Sequence, residues 1–230
     1  MFSRIALVLS FQVFLCTLKF QPSEAQSWFK IGYWYYGSES PISDINSALY
    51  THLICAFADV NTSSFELSVS SSNEHHFSTF TNTLKLKNPS ITTLLSIGGY
   101  QNWTSIQSMI TNVSSRKPFI QSSIRMARLY GFQGLDLFWT SIQTSSDADN
   151  LGQLFQEWRA AAKSEAETNS TLQELILTAV VRASPDLYPL ESIKSNLNWI
   201  HVNAYDYHTP WKQNFTGAPS ALYDPEGFIT

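Results

Sequence analysis

The order of its apolar runs constrains this chain more than any other feature. Short runs rich in aromatic and β-branched residues alternate with stretches whose apolar residues recur at helical spacing, from Lys30 through to Tyr207. Such a succession requires crossover connections, and so predicts parallel strands with helices packed on the sheet. The strand candidates are Lys30–Tyr36, Thr51–Val60, Thr92–Tyr100, Leu135–Thr140, Leu175–Ala183 and Trp199–Tyr207. Between them, Pro41–Tyr50 puts Ile42, Ile45 and Leu49 on one helical face, and Asn73–Lys87 does the same with Phe77, Phe80 and Leu84. Ser115 is placed to cap a helix with Pro118 in its first turn and Ile120, Ile124 and Ala127 on a shared side. Asp147–Glu167 has the clearest stripe (Leu151, Leu154, Phe155, Trp158, Ala162), and Leu190–Leu197 reads as a short helix. Aromatics and acids gathered at strand ends favour a TIM-type (β/α)8 barrel over an open sheet.

The stretch from Gly131 to Thr140, Gly-Phe-Gln-Gly-Leu-Asp-Leu-Phe-Trp-Thr, is the centre of that pattern. Gly131 after Tyr130 suits the left-handed turn that ends a helix. Leu135, Leu137 and Trp139 then alternate with Asp136, Phe138 and Thr140, so the strand has an apolar face and a chemically mixed one.

This stretch resembles the signature strand of glycoside hydrolase family 18, plant class V chitinases in particular, where the pattern runs Gly-Phe-Asp-Gly-Leu-Asp-Leu-Asp-Trp-Glu. The likeness covers essentially the whole chain after its first residues. Ser96-Ile97-Gly98-Gly99 resembles the family's Ser-X-Gly-Gly, Tyr205-Asp206 its Tyr-Asp pair, and Gly32-Tyr33-Trp34 and Phe57-Ala58-Asp59 its first two strands. The resemblance implies a chitin-cleaving ancestry in which the terminal Glu is the general acid. The Asp two residues before that Glu orients the substrate's acetamide. Here Gln133, Phe138 and Thr140 stand at three acidic positions of the motif, and Asp136 alone is kept. A threonine hydroxyl cannot protonate a leaving oxygen, and loss of a positioned acid costs about 10²–10⁴ in rate. Asp136 lies four residues back along the strand, about 13 Å at strand rise, too deep to serve the same oxygen.

The expectation is therefore a chitinase-like protein without hydrolysis that binds chitin or chito-oligosaccharide. Its sugar contacts would come from Tyr33, Phe57, Asp136, Trp139, Tyr205 and Asp206. For Phe57 and Trp139 simple core packing competes with this role, and for Asp136 a buried structural acid bonded to Ser96 or Tyr205 does. A degenerate product with no activity, and a hydrolase with an unusual acid, stay open as alternatives. The resemblance also implies two more strands and a small inserted α+β domain, so the expected barrel is incomplete, with about six of eight strands. Residues 26–230 form that partial domain.

Composition fixes the setting. With 230 residues, 43% of them hydrophobic, the chain can bury a real core. A net charge of −4 without a basic run argues against nucleic acid and anionic membranes as partners. Met1–Arg4, the apolar run Ile5–Leu18 and the small residues near Ala25 read as a secretory signal peptide over residues 1–25, and no later run is long and apolar enough to span a bilayer. Sequons at Asn61, Asn102, Asn112, Asn169 and Asn214 fit an extracellular protein. Cys55 reads as a buried small hydrophobe. His52, His75, His76, His201 and His208 lack metal-ligand spacing, so no metal or other cofactor is expected.

Overall fold

The computed structural model describes residues 28–99, 103–170, 172–184, 186–207 and 217–220. The expected signal segment, Asn102, Asn214 and His208 lie outside these.

The parallel strands are β1 (Ile31–Tyr35), β2 (His52–Val60), β4 (Thr92–Gly98), β5 (Gly134–Phe138), β6 (Ile176–Arg182) and β7 (Trp199–Asn203), hydrogen-bonded in that order. A two-residue strand, β3 (Leu67–Ser68), pairs antiparallel with the end of β2. The helices are α1 (Glu74–Lys87), α2 (Trp103–Ile110), α3 (Val113–Leu129), α4 (Ser145–Thr168) and α5 (Leu190–Asn196). This is the curled parallel sheet of a partial TIM-type barrel. Its curl shows in the contacts between the two outer strands' segments: Phe29, just before β1, meets Trp199 of β7 at 5.1 Å between ring centroids, and Tyr33 of β1 meets His201 of β7 at 5.6 Å.

Alternation sorts each strand onto two faces. Leu53, Cys55, Leu95, Ile97, Leu135, Leu137, Leu177 and Ala179 join Phe77, Phe80, Phe119, Leu154, Phe155 and Trp158 in one buried cluster between sheet and helices. The opposite, inner face buries Ile54, Ala56, Leu94, Ser96, Asp136, Thr178 and Val180. Charge also ties the helices together. Arg116 of α3, 4% exposed in its side chain, grips both oxygens of Glu157 of α4 at 2.9 and 2.6 Å. Among the described residues no helix is long and apolar enough to cross a membrane.

Several boundaries differ from expectation for local reasons. Pro41–Tyr50 is not one helix but two 3-10 turns, Ile42–Asp44 and Ser47–Leu49, separated by Asn46 outside helical geometry. Asn112 rather than Ser115 caps α3, its side chain accepting the Ser115 N–H, so Pro118 lies inside the helix rather than in its first turn. Helix α4 begins before Asp147, because Thr144 and Asp147 form a reciprocal capping box. Helix α2 was not foreseen. It is only eight residues long, with Ile106, Met109 and Ile110 buried, too short to show a convincing period. Gly131 does end α3, with φ +73°.

Candidate functional site

The site lies on the inner face, from the middle of β5 towards its C-terminal end. Parallel register sets its base: Ser96, Asp136 and Thr178 are direct partners on three adjacent strands. Their side chains share one face and bond. Ser96 donates to Asp136 Oδ2 at 2.7 Å, and Thr178 donates to Oδ1 at 2.7 Å. Tyr33 reaches in from β1 and donates its phenol to Oδ2 at 3.0 Å. His201 Nε2 stands 3.7 Å from Oδ1. Asp136 has no solvent exposure, and these partners are what make a buried carboxylate tolerable. Burial, then the Asp136 carboxylate, push the Tyr33 phenol well above its ordinary range. Burial pulls His201 below 6.5, with Asp136 pulling the other way.

Above this polar base the walls are aromatic. Phe138 meets Phe57 edge-on at 5.1 Å and Tyr33 at 6.5 Å. Tyr35 extends the row, 6.3 Å from Phe57. Tyr33, Tyr35 and Tyr205 are 41%, 44% and 42% exposed, whereas Phe138 is 7% exposed and plugs the floor. The turn leaving β4 has to be glycine. Gly98 has φ +109°, and a Cβ there would stand 2.5 Å from the Phe138 carbonyl oxygen, while a Cβ on Gly99 would stand 2.8 Å from the Phe57 ring.

The other expected site residues are spread around this arrangement. Gln133 sits at the opposite end of β5 and braces the turn, accepting from the Thr93 N–H at 2.8 Å and donating to the Gly131 carbonyl at 2.6 Å. Thr140 follows the strand and is 8% exposed. Trp139 is 1% exposed within the cluster between sheet and helices. Period two puts it with Leu135 and Leu137, so it faces away from the aromatic mouth and stands apart from the expected groove. Strand β7 ends at Asn203 rather than Tyr207, which puts Tyr205 and Asp206 on the loop beyond it, Asp206 with φ +62°. Asn61, Asn112 and Asn169 are exposed. Cys55 is buried, and burial pushes its thiol well up.

Sequence reasoning missed Thr178 and His201 as members of the site. His201 could have been found, because it follows Trp199 at the spacing that shares a strand face. Thr178 could not, because only the register with Asp136 distinguishes it.

The signature strand, the Ser-X-Gly-Gly turn and the Tyr33–Asp136 bond coincide with a match of the glycosyl hydrolases family 18 model over residues 30–230. The chain belongs to glycosyl hydrolase family 18. Among its relatives is a class V chitinase from Arabidopsis thaliana, 46% identical over 226 residues, which span 96% of this chain and 59% of that protein. Among solved structures, the class V chitinase from Nicotiana tobaccum superimposes with a TM-score of 0.83 at 43% identity, covering 87% of this chain and 59% of that one. That enzyme has also been solved, as a mutant, in complex with NAG4. The chitinase-like agglutinin RobpsCRA from Robinia pseudoacacia superimposes with a TM-score of 0.80 at 42% identity, covering 86% of this chain and 61% of that one. The chain thus spans about three fifths of the length of these relatives.

Proposed function

We propose that this family 18 chain is a secreted, chitinase-like binder of N-acetylglucosamine oligomers that does not hydrolyse them. The observation that carries the reading is the inner face of β5. Its carboxylate, Asp136, is fully enclosed by hydroxyls, and the next residue on that face, Phe138, is a hydrocarbon floor. A glycosidase needs a proton donor within hydrogen-bond reach of the leaving oxygen, and neither Phe138 nor Thr140 supplies one. Binding asks for less. Sugar rings present apolar faces to aromatic side chains and hydroxyls to a few placed polar groups, and the partly exposed rings of Tyr33, Tyr35 and Tyr205 suit that recipe. The complex of the Nicotiana tobaccum relative with NAG4 supports the choice of ligand, and the agglutinin from Robinia pseudoacacia is a family relative named for binding rather than cleavage.

The test is a thermal melt of the secreted protein with and without N-acetylglucosamine tetramer, paired with a product assay. A ligand at about 100 times its dissociation constant adds about 2.7 kcal/mol of stability. The reading predicts an upward shift without product. A melt that ignores the sugar would remove the binding half of the proposal, and steady product release would remove the other.

A further inference from the structure

One nitrogen on β7 faces two competing partners. Trp199 and His201 alternate onto the inner face of that strand, and Trp199 Nε1 donates to His201 Nε2 at 3.2 Å. An indole nitrogen is a donor only. His201 Nε2 therefore presents its lone pair, and in the neutral ring the proton sits on Nδ1. The same Nε2 stands 3.7 Å from Asp136 Oδ1. It can serve one neighbour at a time: bare, it accepts from Trp199; protonated, it opposes the indole N–H and matches the carboxylate.

We propose that His201 is a proton-operated positioning residue, a latch that holds Trp199 when neutral and releases it to pair with Asp136 when charged.

The groups around the ring come from every neighbouring strand. Asp136 of β5 is the anion, and Thr178 of β6 donates to the oxygen that His201 would approach. Tyr33 of β1 packs edge to face on the imidazole, with an interplanar angle of 78°. His52 of β2 is close enough for the two histidine charges to repel. Burial opposes a charge on His201 while Asp136 favours it, so the Trp199-bound state is the one expected at neutral pH and the Asp136-paired state the one expected in acid. Strand β7 leads directly into Tyr205 and Asp206, so a change in its tether to β5 acts on the loop at the mouth.

The test needs no sugar, so it stands whatever the binding experiment gives. The full chain, isotope-labelled, is titrated by NMR from about pH 8 to about pH 4.5, the range in which histidine changes charge. At neutral pH the latch gives His201 the Nδ1–H tautomer, with Nε2 unprotonated. The Trp199 indole proton then shifts with the His201 midpoint, and His201→Gln abolishes that shift. Trp199→Phe removes the competing donor and raises the midpoint by about one pH unit, the scale of one lost hydrogen bond. Should Trp199→Phe fail to fold, the tautomer and the indole shift of the unaltered protein decide the matter. An Nε2–H tautomer at neutral pH, or a Trp199 indole resonance that stays fixed while His201 titrates, overturns the proposal.

Discussion

Tyr33 on β1 donates its phenol to Asp136 on β5 across 3.0 Å, joining residues 103 apart in sequence. The bond runs through the inside of the curled sheet and reaches past the intervening β2 and β4. It makes the polar base a tie between the sheet's first strand and its centre. Tyr33→Phe removes one of two donors on Oδ2 and leaves Ser96 in place. The expected cost is about 1 kcal/mol. Asp136→Ala strands the Ser96, Thr178 and Tyr33 hydroxyls together and should cost at least about 3 kcal/mol. Urea denaturation of the two variants checks the order. Equal costs would mean that Asp136 is not the hub of this network.

The histidines give the stability a pH dependence. Burial lowers the pKa of both His52 and His201 below 6.5. A lowered histidine pKa means that the unfolded chain binds more protons between the two values. Stability is therefore fully present above about pH 6.5 and is lost as pH falls through the folded-state values. Melting temperatures recorded from about pH 8 downwards should fall in that window, and less steeply in His201→Gln. An unchanged slope in that variant would assign the dependence elsewhere.

The turn at the end of β4 separates two kinds of glycine. At Gly98 a Cβ would meet the Phe138 carbonyl oxygen at 2.5 Å and the φ is +109°, whereas at Gly131 the φ is +73° but the nearest atom is 3.8 Å away. Gly131→Ala should cost about 1 kcal/mol, the left-handed penalty alone. Gly98→Ala adds a backbone clash and should cost more than about 2 kcal/mol, shifting Phe138 and the aromatic floor with it. Chemical denaturation measures the difference.

Helix packing supplies a control remote from the site. Arg116 is nearly fully enclosed and grips Glu157 with two bonds while donating to the Ile110 carbonyl. Arg116→Ala takes this donor from Glu157, Gln153 and the Ile110 carbonyl together, and a loss of about 3 kcal/mol is expected. Sugar binding, if the fold survives, should be unchanged.

Much of this architecture was legible in the sequence because period two and period 3.6 report burial directly. Every one of the parallel strands lies where an apolar run predicted it. The same rule tells Trp139 from Phe138, yet a tryptophan beside a signature motif invites a binding role that its place behind the sheet does not support. What sequence could not supply was register. Ser96, Asp136 and Thr178 form a row only because β4, β5 and β6 pair in one alignment, and no local pattern encodes that. Gln133 was similarly opaque: it stands at a motif position, but its amide is spent on Thr93 and Gly131.

In the proposed function, an aromatic mouth over a sealed carboxylate holds a chito-oligosaccharide without cutting it. Native mass spectrometry of the protein with N-acetylglucosamine tetramer reads both halves at once. The expected result is a complex with intact tetramer and no shorter oligomers after prolonged incubation. Accumulating dimer or trimer, or a spectrum with no bound sugar at all, would contradict it.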